Sequence, residues 1–197
     1  MNWNTRSKLY DLVFSLPLIK GGREEEISNF AELFERARKN SSAEQKTTLD
    51  IGCGTGEFLK FHSSFNPSKT VGLDLSKDML EKARKKSESS FFVLGSASAL
   101  PFKDGSFDFI SSIGVSEYFE DVNIFLREVS RVAGESSNLI ISYTSKSLFN
   151  IFRRLWGIRF FERSWIEIKE AVEEGEFEIL DKRSMRIQAQ ILLKKIK

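Results

Sequence analysis

From Leu49 to Gly56 the chain reads Leu-Asp-Ile-Gly-Cys-Gly-Thr-Gly, and no other stretch constrains the fold as much. The apolar run Thr47 to Ile51 predicts a buried strand, and glycines at alternate positions end it abruptly. Glycine adopts positive φ and lets backbone approach a ligand closely, so the run predicts a tight strand-to-helix turn. The segment 57–64 predicts the helix that follows, whose first-turn N–H groups are open to polar or anionic ligand atoms. A plain tight turn satisfies the same pattern. The spacing is G-x-G-x-G rather than the dinucleotide fingerprint G-x-G-x-x-G. A second apolar run, Thr70 to Leu73, ends in Asp74, close to the roughly 20 positions at which an acidic residue reaches ribose hydroxyls.

With 197 residues the chain suffices for one domain with a two-sided core. Its 41% hydrophobic and 29% charged residues are an ordinary globular balance, and a net charge of +2 gives no electrostatic footprint for nucleic acid. A single cysteine, Cys53, rules out an intramolecular disulfide framework and points to a reducing, cytoplasmic setting. With His62 as the only histidine, no Cys/His metal site is expected. Leu9 to Ile19 is apolar, but Asp11 interrupts it, no small-residue cleavage site follows, and it is too short to cross a bilayer.

Taken in order, residues 1–20 predict a short helix stopped near Pro17, and Gly21-Gly22 predicts a chain break. Arg23 to Lys39 then has helical spacing at Ile27, Phe30, Ala31, Phe34 and Ala37, with Glu24 to Glu26 in the first turn, favourable to the dipole. Strands are expected at 47–51, 69–74, 91–95, 107–113 and 138–143, and helices at 57–64, 77–87 (capped by Ser76) and 121–133. Such alternation means α/β architecture, a mostly parallel sheet with helices on both faces. After a helix near 165–174, two strand-like runs, 176–182 and 187–196, are joined too closely for a crossover and should pair antiparallel.

Asp50-x-Gly52-x-Gly54-x-Gly56 followed by Gly72-Leu73-Asp74-Leu75-Ser76 resembles the class I S-adenosylmethionine (SAM) dependent methyltransferases. The resemblance continues through Gly95 to Phe102 and Ser106 to Ile110, and covers about Thr47 to Thr144 in the family's order. It implies a Rossmann-like, doubly wound, seven-stranded sheet with an antiparallel carboxyl-terminal hairpin. It also implies a single domain: an N-terminal helical cap (1–46), a cofactor-binding core (47–144), a substrate-side insertion and helix (145–175) and the hairpin (176–197).

By the same resemblance SAM is the cofactor and S-adenosylhomocysteine (SAH) the product. Gly52, Cys53 and Gly54 face its methionine end, and Asp50 reaches its amino group directly or through water. Asp74 binds the ribose, and Leu75 and Met79 line the adenine pocket. The position after Gly95 is usually Asp in this family; here it is Ser96, a neutral acceptor in place of a charged one, so modest affinity is expected. The Ala97 N–H remains for the adenine ring, Ile113 borders the methyl group, and Tyr10 (in Tyr10-Asp11) resembles the family's amino-terminal lid.

Methyl transfer from a sulfonium is a direct displacement that alignment and water exclusion can drive, so no catalytic residue is obligatory. The candidates are Glu117, to deprotonate or orient a nucleophile, and Tyr118, to present its π face to the sulfonium. A helix-start carboxylate and a core aromatic fit them equally. Ser145 to Ser164 interleaves aromatics with Arg153, Arg154, Arg159 and Arg163. That composition suits an amphipathic helix closing the pocket, a lipid or quinone-like acceptor, or peripheral membrane contact through 149–163. A small or amphipathic acceptor is therefore expected. A non-catalytic SAM-binding scaffold and an NAD(P)-dependent oxidoreductase are the alternatives.

Overall fold

The computed structural model describes residues 17–39, 47–65, 69–147, 150 and 159–196. Seven strands run along these residues: β1 (Thr48–Ile51), β2 (Thr70–Asp74), β3 (Phe91–Leu94), β4 (Phe107–Ser112), β5 (Ala133–Thr144), β6 (Phe177–Ser184) and β7 (Gln188–Lys195). They form one sheet in the order β3-β2-β1-β4-β5-β7-β6. Strands β1 to β5 pair in parallel, while β7 lies antiparallel between β5 and β6. The order reverses between β1 and β4, and the carboxyl ends of those strands define the crevice where open α/β sheets take ligands. Fold class and terminal hairpin are as expected: a Rossmann-like, doubly wound sheet.

Among the described residues five helices cover it: α1 (Pro17–Lys39), α2 (Leu59–Phe65), α3 (Lys77–Lys86), α4 (Val122–Val132) and α5 (Trp165–Glu174). Three of them carry side-chain N-caps, with Asp121 accepting the Asn123 N–H at the start of α4. Ser76 Oγ accepts the Met79 N–H at the start of α3, and Ser164 with Glu167 forms a capping box on α5.

The amino-terminal expectation is corrected. Helix α1 starts at Pro17 and runs unbroken through Gly21-Gly22 to Lys39. Proline suits a first helical turn, where its missing N–H is not needed. Two interior glycines cost only about 1 kcal/mol each, less than burial of Phe30, Leu33, Phe34 and Ala37 against the sheet returns. Glu24 to Glu26 thus lie beyond the first turn, and the dipole argument for them fails. Glu26 is buried instead, bonded by Arg23 and by Gln188 of β7. The segment 1–16, with Tyr10, lies outside the described residues.

Strand β5 also begins earlier than expected, directly after α4, with Ala133 opposite Phe107. The polar stretch Glu135 to Ser137 reads as loop in sequence, but a register irregularity between Phe107 and Phe109 and Ser136 at φ 58° carry it through the edge of the pairing.

Side chains alternate across each strand, and the two faces differ. Leu49, Ile51, Leu73, Ile110, Leu139, Ile141, Ile191 and Leu193 join α4 and α5 in one apolar core. The other face, under α1 and α2, holds Phe30, Phe34, Phe58, Phe109, Ile140 and Leu192. No described helix is long and apolar enough to cross a membrane.

Candidate functional site

The glycine turn is bonded to the end of β2. The Gly52 and Cys53 N–H groups both donate to the Leu73 carbonyl, at 2.7 and 3.0 Å, and Gly56 N–H donates to the Cys53 carbonyl at 2.9 Å. Gly54 N–H donates to Asp74 Oδ2 at 2.9 Å. Gly52 has φ +67°, and a Cβ there would sit 2.2 Å from Val115 Cγ2. Conformation and space therefore both exclude a side chain. Gly56, at φ +83°, lets the turn pass the α3 backbone, where a Cβ would stand 3.2 Å from Ala83 Cα.

These glycines also correct the expected helix start. Gly52, Gly54 and Gly56 all have positive φ, which keeps the backbone out of the right-handed helical region, and α2 begins at Leu59 rather than Glu57. The N–H groups of the three glycines go to Leu73, Asp74 and Cys53, so the turn is a wall held to β2 rather than an open anion-binding helix end.

Asp74 anchors that wall. Its Oδ1 accepts Ser76 N–H at 2.8 Å and its Oδ2 accepts Gly54 N–H. A carboxylate accepts about four hydrogen bonds, so each oxygen keeps room for a ligand hydroxyl. Burial pushes the Asp74 carboxyl above the ordinary range, opposed by the backbone bonds from Ser76, Gly54 and Leu75. Beyond it Leu75 is 59% exposed, an apolar surface beside a carboxylate, while Met79 is buried in the first turn of α3. Ser96 Oγ lies 2.7 Å from Ser98 Oγ and accepts the Ser98 N–H at 3.2 Å. Its hydroxyl is thus shared within its own turn, and Ala97 beside it is buried. Glu128 and Arg131 of α4 hold the following loop, bonding Leu100 N–H at 2.6 Å and the Leu100 and Phe102 carbonyls at 2.9 and 2.8 Å.

Beneath the turn, Asp50 is 1% exposed. Its Oδ1 accepts the Ser111 hydroxyl at 2.6 Å, and its Oδ2 has no partner among the described residues. Burial, the dominant cause, raises its carboxyl to about 7; nearby Asp74 adds to the rise, while Ser111 and Arg23 oppose it. A cavity above is lined by Gly52, Cys53, Gly54 and Ile113, with Thr55, Glu57, Phe58 and Arg23 completing it. Burial pushes the Cys53 thiol up, so it is an inert wall rather than a nucleophile.

Four lining residues, Thr55, Glu57, Phe58 and Arg23, were missed by sequence reasoning, and of these Arg23 brings the cation. Its guanidinium stands 5.0 Å from the Phe58 ring centroid and pairs with Glu26. Nothing local in sequence marks it, because α1 must first continue through Gly21-Gly22 before Arg23 is held at the cavity. His62 and Ser111 were missed as well: each looks like an ordinary core or strand residue until the helix and strand are packed together.

On the β4 side, Glu117 and Tyr118 belong to a single 3-10 turn, Ser116–Tyr118, and neither lines this cavity. Ser116 Oγ donates to the Ser142 carbonyl at 2.7 Å, and Ser142 Oγ accepts Gly114 N–H at 2.8 Å, fixing the turn to β5. Glu117 is buried, and its carbonyl accepts Phe161 N–H at 2.7 Å.

Arg163 corrects part of the arginine–aromatic reading. It is buried and bonds the Phe119 and Glu120 carbonyls through Nη2, at 2.5 and 3.1 Å, so it clamps the turn instead of facing solvent or lipid. Phe160 is buried too, whereas Arg159 is exposed beside Glu120. Arg153, Arg154 and their neighbours 151–158 lie outside the described residues. Among the described residues no cluster of His, Cys, Asp and Glu could hold a metal ion.

This arrangement can be set beside known proteins. Residues 49–141 match the family model described as a methyltransferase domain. That stretch is of the methyltransferase-domain family. Over 131 residues, 63% of this chain and 44% of that protein, it is 31% identical to norajmaline N-methyltransferase of Rauvolfia serpentina. Over 132 residues, 64% of this chain and 55% of that protein, it is 29% identical to demethylmenaquinone methyltransferase of Staphylococcus aureus. The chain spans about half the length of the curated relatives it matches. The fold superposes with TM-score 0.79 on magnesium protoporphyrin IX methyltransferase from Synechocystis PCC 6803 with bound SAH, at 15% identity, covering 97% of this chain and 94% of that one.

Proposed function

We propose that this protein binds SAM at the glycine turn and moves its methyl group to an O, N or C nucleophile of a small or amphipathic acceptor. The observation that carries the reading is the pair of carboxylates flanking the turn: Asp74 with lone pairs left for ribose hydroxyls, and Asp50 with a buried, unpartnered Oδ2 suited to a cationic amino group. The donor set fits the cofactor at every part. Gly52, Cys53, Gly54 and Ile113 meet its methionine end, Arg23 supplies a cation for its carboxylate, and Leu75, Met79, Ser96 and Ala97 receive adenine. When bound, SAM supplies an electrophilic methyl group on a positive sulfur; the chain's part is to align, exclude water and stabilise charge. Glu117 and Tyr118, in the turn beside β5, are assigned to orienting the nucleophile and shielding the sulfonium.

Relatives named fatty-acid O-methyltransferase and demethylmenaquinone methyltransferase support a lipid- or quinone-like acceptor. The arginines and aromatics of 149–163 are assigned to that acceptor's side, including contact with a membrane surface that presents it. Calorimetry with SAM, SAH and NAD on wild type and Asp74→Ala tests the cofactor. Binding of SAM and SAH in the micromolar range, weakened at least about tenfold by the substitution, with NAD silent, is the expected result. Silence for SAM sinks the reading, and binding of NAD alone promotes the oxidoreductase. A bound cofactor without turnover on any lipid, quinone or amine acceptor leaves the scaffold. Ser96→Asp should tighten SAM, since a carboxylate replaces a hydroxyl already shared with Ser98.

A further inference from the structure

The face of the sheet under α1 and α2 contains a continuous polar chain. His62 of α2 places Nε2 2.7 Å from Ser111 Oγ of β4, and Ser111 Oγ lies 2.6 Å from Asp50 Oδ1 of β1. All three residues are buried. The imidazole is surrounded by rings, with the Phe109, Phe34 and Phe30 centroids 5.2, 5.9 and 6.4 Å away. Its Nδ1 has no hydrogen-bond partner among the described residues, and neither has Asp50 Oδ2. The chain therefore begins in an aromatic box and ends at the carboxylate two residues before the glycine turn.

Those end points fix its direction. Ser111 has one hydroxyl proton for two neighbours, so one of the two must donate to it. Were Asp50 to donate from Oδ1, Ser111 would donate to Nε2, and the histidine proton would sit on Nδ1, an orphan donor among phenyl rings. A buried N–H without an acceptor carries its full desolvation cost. With the proton on Nε2, histidine donates to Ser111, Ser111 donates to Asp50 Oδ1, and only an unprotonated nitrogen faces the rings. Burial, which holds the His62 pKa down to about 3, keeps the ring neutral and compatible with this arrangement. Any proton that Asp50 carries must then reside on Oδ2.

We propose that His62 and Ser111 are positioning residues that commit Asp50 Oδ1 to the protein and reserve Oδ2 for the amino group of the cofactor, so that binding the ammonium expels the Oδ2 proton. The step balances. The neutral Asp50 carboxyl and the free ammonium become a carboxylate–ammonium pair, the Oδ2–H bond breaks, and its proton goes to solvent. This inference rests on the SAM reading above. Other ionisable groups face Asp50: Asp74 at the end of β2 disfavours its charge and Arg23 on α1 favours it, while the Cys53 thiol, itself pushed up by burial and by Asp50, stays neutral beside it. His62 influences it only through Ser111.

The first arm of the test uses the protein without cofactor. As the chain has one histidine, the nitrogen NMR signals of its ring are unambiguous. They should report a neutral Nε2–H tautomer from about pH 5 to 9. Titration of Asp50 by carboxyl carbon NMR should then give a midpoint that rises by about half a unit to one unit in Ser111→Ala and His62→Leu. His62→Gln, which keeps a donor near the end of the side chain, should restore it. An Nδ1–H tautomer, or a midpoint unmoved by Ser111→Ala, overturns the proposal; so does a shift in His62→Leu that His62→Gln leaves uncorrected. Ser111→Ala deletes one oxygen and keeps the core volume, so the test stands even if a His62 variant fails to fold.

The second arm is calorimetry with SAM in two buffers of different ionisation enthalpy. About half a proton should be released at the Asp50 midpoint, and affinity should fall about tenfold per pH unit below it. Binding without proton release at that pH overturns the coupling. Absence of SAM binding at any pH removes the functional reading, while the NMR arm still decides the relay.

Discussion

The two faces of the sheet are built on opposite plans. Under α4 and α5 the strands present Leu49, Ile51, Leu73, Ile110, Leu139, Ile141, Ile191 and Leu193, with Tyr143 at one end, an apolar core to which the strands contribute no carboxylate, histidine or basic side chain. Under α1 and α2 the alternate strand positions mix the apolar Phe109, Ile140 and Leu192 with Thr48, Asp50, Ser111, Asn138, Ser142 and Gln190, all buried. Thr48 and Thr70 bond each other at 3.1 Å, Gln190 bonds the Glu26 carbonyl of α1 at 2.9 Å, and Asp50, Ser111 and His62 form the relay. A polar core is harder to satisfy than an apolar one, and each unsatisfied group in it is costly. The difference teaches that the α4/α5 face holds the sheet together while the α1/α2 face gives up stability to place charge under the crevice.

If so, truncation on the dry face should have the largest effect and ignore pH. Phe125→Ala removes a fully buried ring that packs 5.4 Å from Phe119. It should cost about 3–5 kcal/mol in urea unfolding, the same at pH 5 and 8. A strongly pH-dependent loss would break the comparison.

Asp50→Asn should do the reverse. A carboxyl raised from 3.8 to about 7 contributes stability that is fully present below its unfolded pKa and lost as pH rises through 7. At pH 8 the charged form costs on the order of 4 kcal/mol, of which an amide recovers about half once its own buried NH2 is counted. We expect Asp50→Asn to stabilise by about 2 kcal/mol at pH 8 and not at pH 4, while weakening SAM. Destabilisation at pH 8 would show that the relay holds the fold rather than straining it.

His62→Leu sharpens the contrast further. The histidine pKa is lowered from 6.5 to about 3, so its contribution is present above 6.5 and lost as pH falls, the opposite sign to Asp50. Between the two ordinary values the slopes offset, and wild-type stability gains almost no pH dependence from the pair. The leucine variant should be about 1 kcal/mol less stable at pH 8, from the lost bond to Ser111, and equal to or above wild type by pH 5. Parallel stability curves for the two proteins would exclude a buried neutral histidine.

Legibility in the sequence followed the same division. Asp50, Gly52, Gly54 and Asp74 were readable because strand, turn and next strand lie within one short span, and the turn chemistry is local. The alternation of strands and helices, and the closely joined hairpin, likewise needed only period and loop length. His62, Ser111 and Arg23 were not readable, since each acquires its meaning from a partner on another element. Ser111 looks like any small strand residue until its hydroxyl meets Asp50 across the pair β1–β4. The acceptor side was the least legible: Arg163 has the composition of a surface cation, yet it clamps the carbonyls of Phe119 and Glu120. Helix α1 divides the same way: its stripe Phe30, Phe34 and Ala37 is legible in the sequence, whereas its continuation back through Gly21-Gly22 to Pro17 is not, because local glycine propensity argues against it.

The glycine pair supplies the smallest effect and a control for the rest. Gly21 and Gly22 lie inside α1, both exposed, and a Cβ at either meets nothing within 4 Å. Neither has positive φ, so alanine adopts the native backbone and restricts only the unfolded chain. Gly21→Ala and Gly22→Ala should each stabilise by about 0.5–1 kcal/mol at every pH, because neither side chain touches an ionisable group. Helix α1 also carries Arg23 to the cavity, so a stiffer entry to α1 should leave SAM affinity equal or slightly tighter. Weakened binding with raised stability would mean that the glycines let α1 bend to admit the ligand, and the α1/α2 face would then be a moving wall rather than a fixed one.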